Sequence, residues 1–244
     1  MKRISLALII ALLIPMCLSG CVSMNFSGIN AVGGKGEPEI FSYEVGDFTK
    51  IDISIYCNVE YYSGDSKMVT LEIQPNLVQY IQVENIGGIL ILRTNRDISW
   101  SARAPVLTVR IPELERVAYA GAGMFTAHDR IETEKFSLTI SGAGSGKADV
   151  LVDELYASLS GAGNFELSGE ARSAEMELSG AGSIDAISLK TENARVTISG
   201  VGSISVSCSE LLRVNASGLG TVEYAGSPRI EMTGGGLTSV KKVG

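Results

Sequence analysis

Glu166 and Asp185 are the two carboxylates whose placement invites chemistry. Each stands at the same point after a recurring glycine phrase, so an architecture that stacks the phrases brings them to about 5 Å, the spacing of the paired carboxyls in retaining glycosidases. The rest of such a site is sparse. Lys147 stands one phrase earlier as a counter-charge, and no arginine, histidine or aromatic residue shares the column Lys147, Glu166, Asp185, Ser205 and Glu223. The pair therefore reads either as a polysaccharide-cleaving site or as a solvated charge ladder. His128 is the only histidine, which leaves no histidine-rich metal site, and no serine motif accompanies it. Tyr61, Tyr62 and Trp100 offer ring faces for sugars, or packing at strand rims. Asp149, Asp153 and Glu154 gather acid at a turn, but their spacing matches no calcium loop. Neither a metal nor a cofactor is expected.

The phrase itself reads Ser141-Gly142-Ala143-Gly144, Ser160-Gly161-Ala162-Gly163, Ser179-Gly180-Ala181-Gly182, Ser199-Gly200-Val201-Gly202 and Ser217-Gly218-Leu219-Gly220. With a weaker copy on each side, the first glycines fall at 121, 142, 161, 180, 200, 218 and 234, in steps of 21, 19, 19, 20, 18 and 16. Self-similarity at that period marks a solenoid. Apolar residues alternate before each bend (Leu155, Ala157, Leu159; Ala174, Met176, Leu178) and after it (Phe165, Leu167; Ile184, Ala186). Period two means strands, two short ones per repeat with the bend between them. A repeat of this length, already filled by strands, has no room for a helix. What remains is an all-β parallel β-helix, one coil per repeat. Coils stacked at ~4.8 Å make seven of them a rod of roughly 30 Å.

A phosphate loop would need a helix N-terminus after its glycines. A strand follows every copy here, so no nucleotide is expected. Outward positions before the bends line up as well. Thr139, Ser158, Glu177, Thr197, Asn215 and Glu231 form a polar row beside the bend serines Ser141, Ser160, Ser179, Ser199 and Ser217. Such a flat, hydroxyl-rich face suits a glycan or a surface protein, and is also what any solvated solenoid presents. A neighbouring column, Ser137, Tyr156, Glu175, Arg195, Arg213 and Arg229, contains one cross-coil ion pair, Glu175 with Arg195.

The Ser-Gly-x-Gly bends, the stretch Asn76-Leu77-Val78-Gln79-Tyr80-Ile81 and the closing Ala225-Gly226-Ser227-Pro228 resemble the auto-transporter adhesin head family, the GIN domain. The resemblance runs from about Phe48 to Lys242. It implies a right-handed β-helix on secreted or surface lipoproteins, with a biochemical role that is largely unassigned.

The first residues set the address. Met1 to Gly20 reads as a secretory signal, with Lys2 and Arg3 before an apolar run that is short for a membrane span. Leu18-Ser19-Gly20-Cys21 resembles the bacterial lipobox, whose cysteine carries the lipid anchor. Loss of Lys2 and Arg3 takes the formal net charge from −7 to −9, which disfavours nucleic acid and anionic lipid as partners. Of the four cysteines, Cys17 leaves with the signal, and Cys57 and Cys208 fall at inward positions as small buried hydrophobes. Residues 21–47 read as the lipidated terminus and a tether, 48–116 as irregular first coils acting as a cap, and 117–244 as the regular repeats. Lys241 and Lys242 on the terminal edge discourage end-to-end pairing. The combined reading is a non-catalytic envelope lipoprotein, at the outer membrane or cell surface, that displays a polar face for adhesion. The alternative is a polysaccharide-active enzyme built on Glu166 and Asp185.

Overall fold

The computed structural model describes residues 32–99 and 103–243. The leader, Cys17, Cys21 and Trp100 lie outside these residues. Strands β1 (Val32–Gly33), β2 (Glu39–Ser42), β3 (Lys50–Ile53), β4 (Asn58–Ser63) and β5 (Met68–Ile73) precede a single helical turn, α1 (Pro75–Val78). Pro75 suits the start of that turn, since its fixed φ is already helical and its missing N–H would have had no partner. Next come β6 (Ile81–Ile86), β7 (Ile89–Thr94), β8 (Ile98–Ser99) and β9 (Val106–Ile111). The repeats hold β10 (Arg116–Tyr119), β11 (Ala122–Ala127), β12 (Ile131–Ile140), β13 (Ala143–Leu159), β14 (Ala162–Leu178), β15 (Ala181–Ile198), β16 (Val201–Ala216), β17 (Leu219–Ala225), β18 (Arg229–Thr233) and β19 (Leu237–Lys242).

The fold is a β-solenoid of about 7 turns, nearly all strand. In its regular part each repeat is one long strand rather than two short ones, because the ladder holds its pairing from one bend to the next. β13 pairs in parallel with β14 from Ala143↔Ala162 to Leu159↔Leu178. β14 and β15 continue the same register, with a one-residue slip after Glu166. The inward positions stack and are almost fully buried: Ile140, Leu159, Leu178 and Ile198 form one such row, and Leu138, Ala157, Met176 and Val196 the next. No coil has two apolar faces of its own, so each is closed by its neighbours.

The bends explain the glycines. The amide of Ala162 donates to the carbonyl of Gly142 at 3.0 Å, Ala181 does the same to Gly161 at 2.9 Å and Val201 to Gly180 at 2.9 Å. That same carbonyl oxygen fills the space where the next coil's first bend residue would carry a Cβ. At Gly161 the added carbon would sit far inside van der Waals contact with the Gly142 oxygen. The Ser54–Cys57 corner of the β3–β4 coil manages without glycine. On its N-terminal side the chain leaves the tight bend for the longer connection between β7 and β9.

The coils of the N-terminal part are not stacked in chain order. β3 lies between β7 and β10, and β4 between β9 and β11, all in parallel. The stack therefore runs 89–111, then 50–63, then 116–127. The N-terminal end is closed by strands of opposite direction: β6 on β7, β5 on β9 and β2 on β5. The β6–β7 hairpin turns through Gly87 and Gly88, at φ 61° and 82°, the conformation glycine adopts without cost. Asn76 in α1 ties the preceding segment down, donating from Nδ2 to the Gly33 carbonyl and accepting from the Lys35 amide.

One register expectation needs correction. In the last coil Glu231, not Arg229, continues the column of Arg213, and Thr233 rather than Glu231 follows Asn215. The 217–233 coil is short and turns through Gly226-Ser227-Pro228, so its strand meets the ladder two residues later.

Gly161→Ala is expected to cost several kcal/mol, on the order of 3 or more, because neither coil can yield without breaking the ladder. Gly235→Ala is the matched control: nothing lies within 4 Å of its added carbon. Denaturant melts of the two variants check this. The core makes a second prediction. Burial pushes the Cys57 thiol up from 9.0 to about 12 and also raises the Tyr119 phenol. Folding therefore holds these protons, so stability is full below about pH 9 and falls as pH climbs towards 12. A thiol reagent at neutral pH should leave Cys57 unmodified until denaturant is added.

Candidate functional site

The outward rows build the site. Parallel pairing in register puts residue types that recur at one place in the repeat side by side, one interstrand spacing apart. Lys147, Glu166, Asp185, Ser205 and Glu223 form one such column. Glu166 and Asp185 are thus neighbours, but both are exposed, and neither lines either of the two clefts described below. Lys147 Nζ lies 2.7 Å from Glu166 Oε1. Asp185 Oδ1 accepts from the Ile187 amide at 3.2 Å. A catalytic acid needs shelter that keeps its proton at neutral pH; this pair stands on an open flank.

Thr139, Ser158, Thr197 and Asn215 also align, with Glu177 between Ser158 and Thr197. Ser158 is more withdrawn than the row suggested, being buried under its neighbours. Tyr156 leans over this row, its hydroxyl 2.7 Å from Glu177 Oε2. The bend serines Ser141, Ser160, Ser179, Ser199 and Ser217 are all exposed along one corner. Ser141 Oγ donates to the Tyr119 carbonyl at 3.1 Å.

Beside these rows an open cleft of about 720 Å³ crosses the coils. Lys50, Arg116, Ser137, Tyr156 and Glu175 descend its length, with Lys135, Glu154 and Arg172 at the side. Its cations are already matched: Lys50 with Glu115 at 3.3 Å, Lys135 with Glu154 at 2.9 Å. Arg116 grips both oxygens of Asp52, at 2.8 and 3.0 Å. Its Nε is buried and donates to nothing. Arg172 sits on this rim and also on that of a second cleft, of about 470 Å³, towards Lys190, Thr191 and Cys208.

Asp149, Asp153 and Glu154 lie within β13 rather than at a turn, because the strand runs unbroken from bend to bend, and they offer no cation cage. Asp149 is held by Arg130 at 3.0 Å, Asp153 by Arg172 at 3.6 Å and Glu154 by Lys135. The aromatic candidates separate. Tyr61 is not a rim residue: it is buried in the core, because it follows the inward parity of Val59. Tyr62 is outward, but one ring face is stacked by His128 at 4.6 Å and the Arg110 guanidinium lies 5.3 Å from its centroid. A sugar would have to displace one of them. Cys57 and Cys208 are free and buried, and form no disulfide with one another.

Arg116, Lys50, Lys135 and Arg172 were not legible as a group. They meet because the 50–63 coil is inserted beside the 116–127 coil, and no periodicity reports that crossover. Lys135 and Arg172 each had a signal, since Glu154 one coil later and Asp153 one coil earlier hold the matching outward positions.

The family described as Putative auto-transporter adhesin, head GIN domain matches residues 47–228. Among solved structures, a putative adhesin from Bacteroides fragilis is 23% identical, covers 87% of this chain and 100% of its own, and superposes with a TM-score of 0.82. A putative lipid binding protein from Parabacteroides distasonis is 22% identical over 88% of this chain and 100% of its own, at 0.69. A putative adhesin from Parabacteroides merdae is 16% identical over 88% and 99%, at 0.59. At such identities the likeness is one of fold. No curated protein matches the chain.

Proposed function

The chain belongs to the family of auto-transporter adhesin head GIN domains, and from that premise we propose that it is a lipid-anchored envelope protein that binds a surface glycan without catalysis. One observation carries this reading: a long cleft runs beside in-register polar rows, with its cations and carboxylates fixed in position by one another. Groups held this way meet an extended polar ligand with little further ordering, which is the main cost of binding flexible chains. Cations, hydroxyls and a carboxylate spaced one coil apart, from Lys50 through Ser137 and Tyr156 to Glu175, suit a polymer of hydroxyls. Hydroxyls in the cleft are pinned to carboxylates, Thr133 to Glu113 at 3.0 Å and Tyr156 to Glu177 at 2.7 Å. Among the described residues no third group orients either carboxylate as a base, so binding rather than turnover fits its chemistry. The lipobox-like Cys21 supplies the anchor, and acylation there would keep the solenoid at the membrane surface.

A glycan array probed with the chain should retain at least one extended glycan. The double variant Lys135→Ala, Arg172→Ala should lose about tenfold or more in affinity, roughly 1.4 kcal/mol, with an unchanged melt. Retention of no glycan, or equal binding by the variant, would overturn the assignment. Shortened glycan products would instead restore the Glu166–Asp185 enzyme, and Glu166→Gln should then abolish them. Separately, Cys21→Ala should move the chain from the membrane fraction to the soluble fraction. A chain that stays with the membrane would refute the anchor alone.

A further inference from the structure

The two ends of the stack are built differently. At the N-terminal end antiparallel strands close the first coil. At the other, β18 pairs with β16 and β19 with β17, and among the described residues no strand register covers either from beyond. Ile230 and Met232 take the inward places of Leu212 and Val214. Those two are 0% and 1% exposed, whereas Ile230 and Met232 are 37% and 55% exposed. The interior thus ends on an open cross-section beside a strand edge with free backbone donors and acceptors, which is a template for adding another strand.

What fits this edge is a second copy of the same edge. Head-to-tail stacking meets the antiparallel cap, whose strands do not continue the coil. Two open ends related by a two-fold axis bring their last strands together antiparallel, as a ladder requires. The outward charges on β18 agree with that symmetry. With the axis through Ile230, Arg229 of each copy lies opposite the partner's Glu231. Glu231 already gathers cations, with Arg213 Nε at 2.9 Å and Arg229 at 2.6 Å. The other arm is guarded: Lys242 occupies an inward register place on β19, reaching Ser227 Oγ at 3.4 Å. Its ammonium keeps that arm from stacking on an apolar surface, which confines pairing to β18.

We propose that the open C-terminal end is a homodimerisation surface, in which β18 of two copies pair antiparallel and bury Ile230 and Met232 between them. The contact is isologous and closed, so assembly stops at two and makes no filament. The two N-terminal ends then point away from each other. On the anchored chain proposed above, that joins copies held by two facing surfaces, but the pairing itself rests on neither the anchor nor the glycan.

Cysteine cross-linking of the full chain tests this. At the two-fold the paired Cα atoms stand about 4.5–5.5 Å apart, within reach of a disulfide. Under mild oxidation the Ile230→Cys chain should run at twice its mass without reductant, and at single mass with it. Ala162→Cys, on the exposed bend corner, should stay single. Adding Met232→Lys to Ile230→Cys should cut the cross-linked fraction by about tenfold, with the melt unchanged. Sedimentation of the unaltered chain should give the double mass, and the Met232→Lys chain the single mass. Equal cross-linking at Ala162→Cys, or a single-mass unaltered chain at micromolar concentration, overturns the proposal whatever the glycan array returns.

Discussion

Everything in this molecule depends on how closely one bend can sit on another. The first glycine of each phrase offers its carbonyl to the next coil's amide, and the same oxygen takes the space a side chain would need. Hydrogen bond and close approach are two views of one contact. A coil that tightened its corner without glycine would lose the bond, and a coil that kept the bond with alanine would collide. The corner is therefore the least negotiable part of the repeat. The arms between corners vary freely, carrying Leu, Met, Phe or Ala inside, provided the inward parity holds.

That constraint also sets what the surface can be. Because corners fix the register, every outward position becomes a column of residues one coil apart. Columns of a single sign would repel along the whole rod. The chain mixes signs within them instead: Lys147 by Glu166, Glu175 by Arg195 and Arg213 by Glu231. The like-charged neighbours Glu166 and Asp185, and Arg195 and Arg213, thus each have an opposite charge on the other side of at least one member. These exposed pairs add little stability each, since water screens them. Their consequence is positional. They hold long side chains in fixed places along a face, which is useful to a binding surface and of little use to an acid–base site that needs one sheltered proton.

The sequence exposed most of this architecture because the repeat is local. Inward rows such as Ile140, Leu159, Leu178 and Ile198 follow from spacing and parity alone, and so do the adjacent Glu166 and Asp185. Three things escaped that reasoning, each for a physical cause. Tyr61 carries the inward parity of Val59 but also a hydroxyl that suits a rim, and what lets it enter the core is the Ile111 carbonyl that accepts from that hydroxyl at 3.4 Å. The two-residue slip at Glu231 arises in a coil of 16 residues between glycines at 218 and 234, too short to keep the earlier count. The largest miss is the insertion of the 50–63 coil between 89–111 and 116–127. It brings Lys50 and Arg116 into one cleft through contacts about 65 residues apart in the chain, and loop closure over such distances leaves no local mark.

The crossover and the open end answer the same problem from opposite sides. A solenoid has an interior that must stop somewhere, and each stop exposes a cross-section of core. At the N-terminus the chain spends three strands, Glu39–Ser42, Met68–Ile73 and Ile81–Ile86, on covering it in the antiparallel sense. Among the described residues no strand covers the other end, where Lys241 and Lys242 keep one arm soluble. If exposure of Ile230 and Met232 were only the fraying of a last coil, a lysine at an inward place would be expected on both arms. It occurs on one. The apolar pair on β18, bracketed by Arg229 and Glu231, is instead what remains when an edge is guarded against every neighbour except its own image.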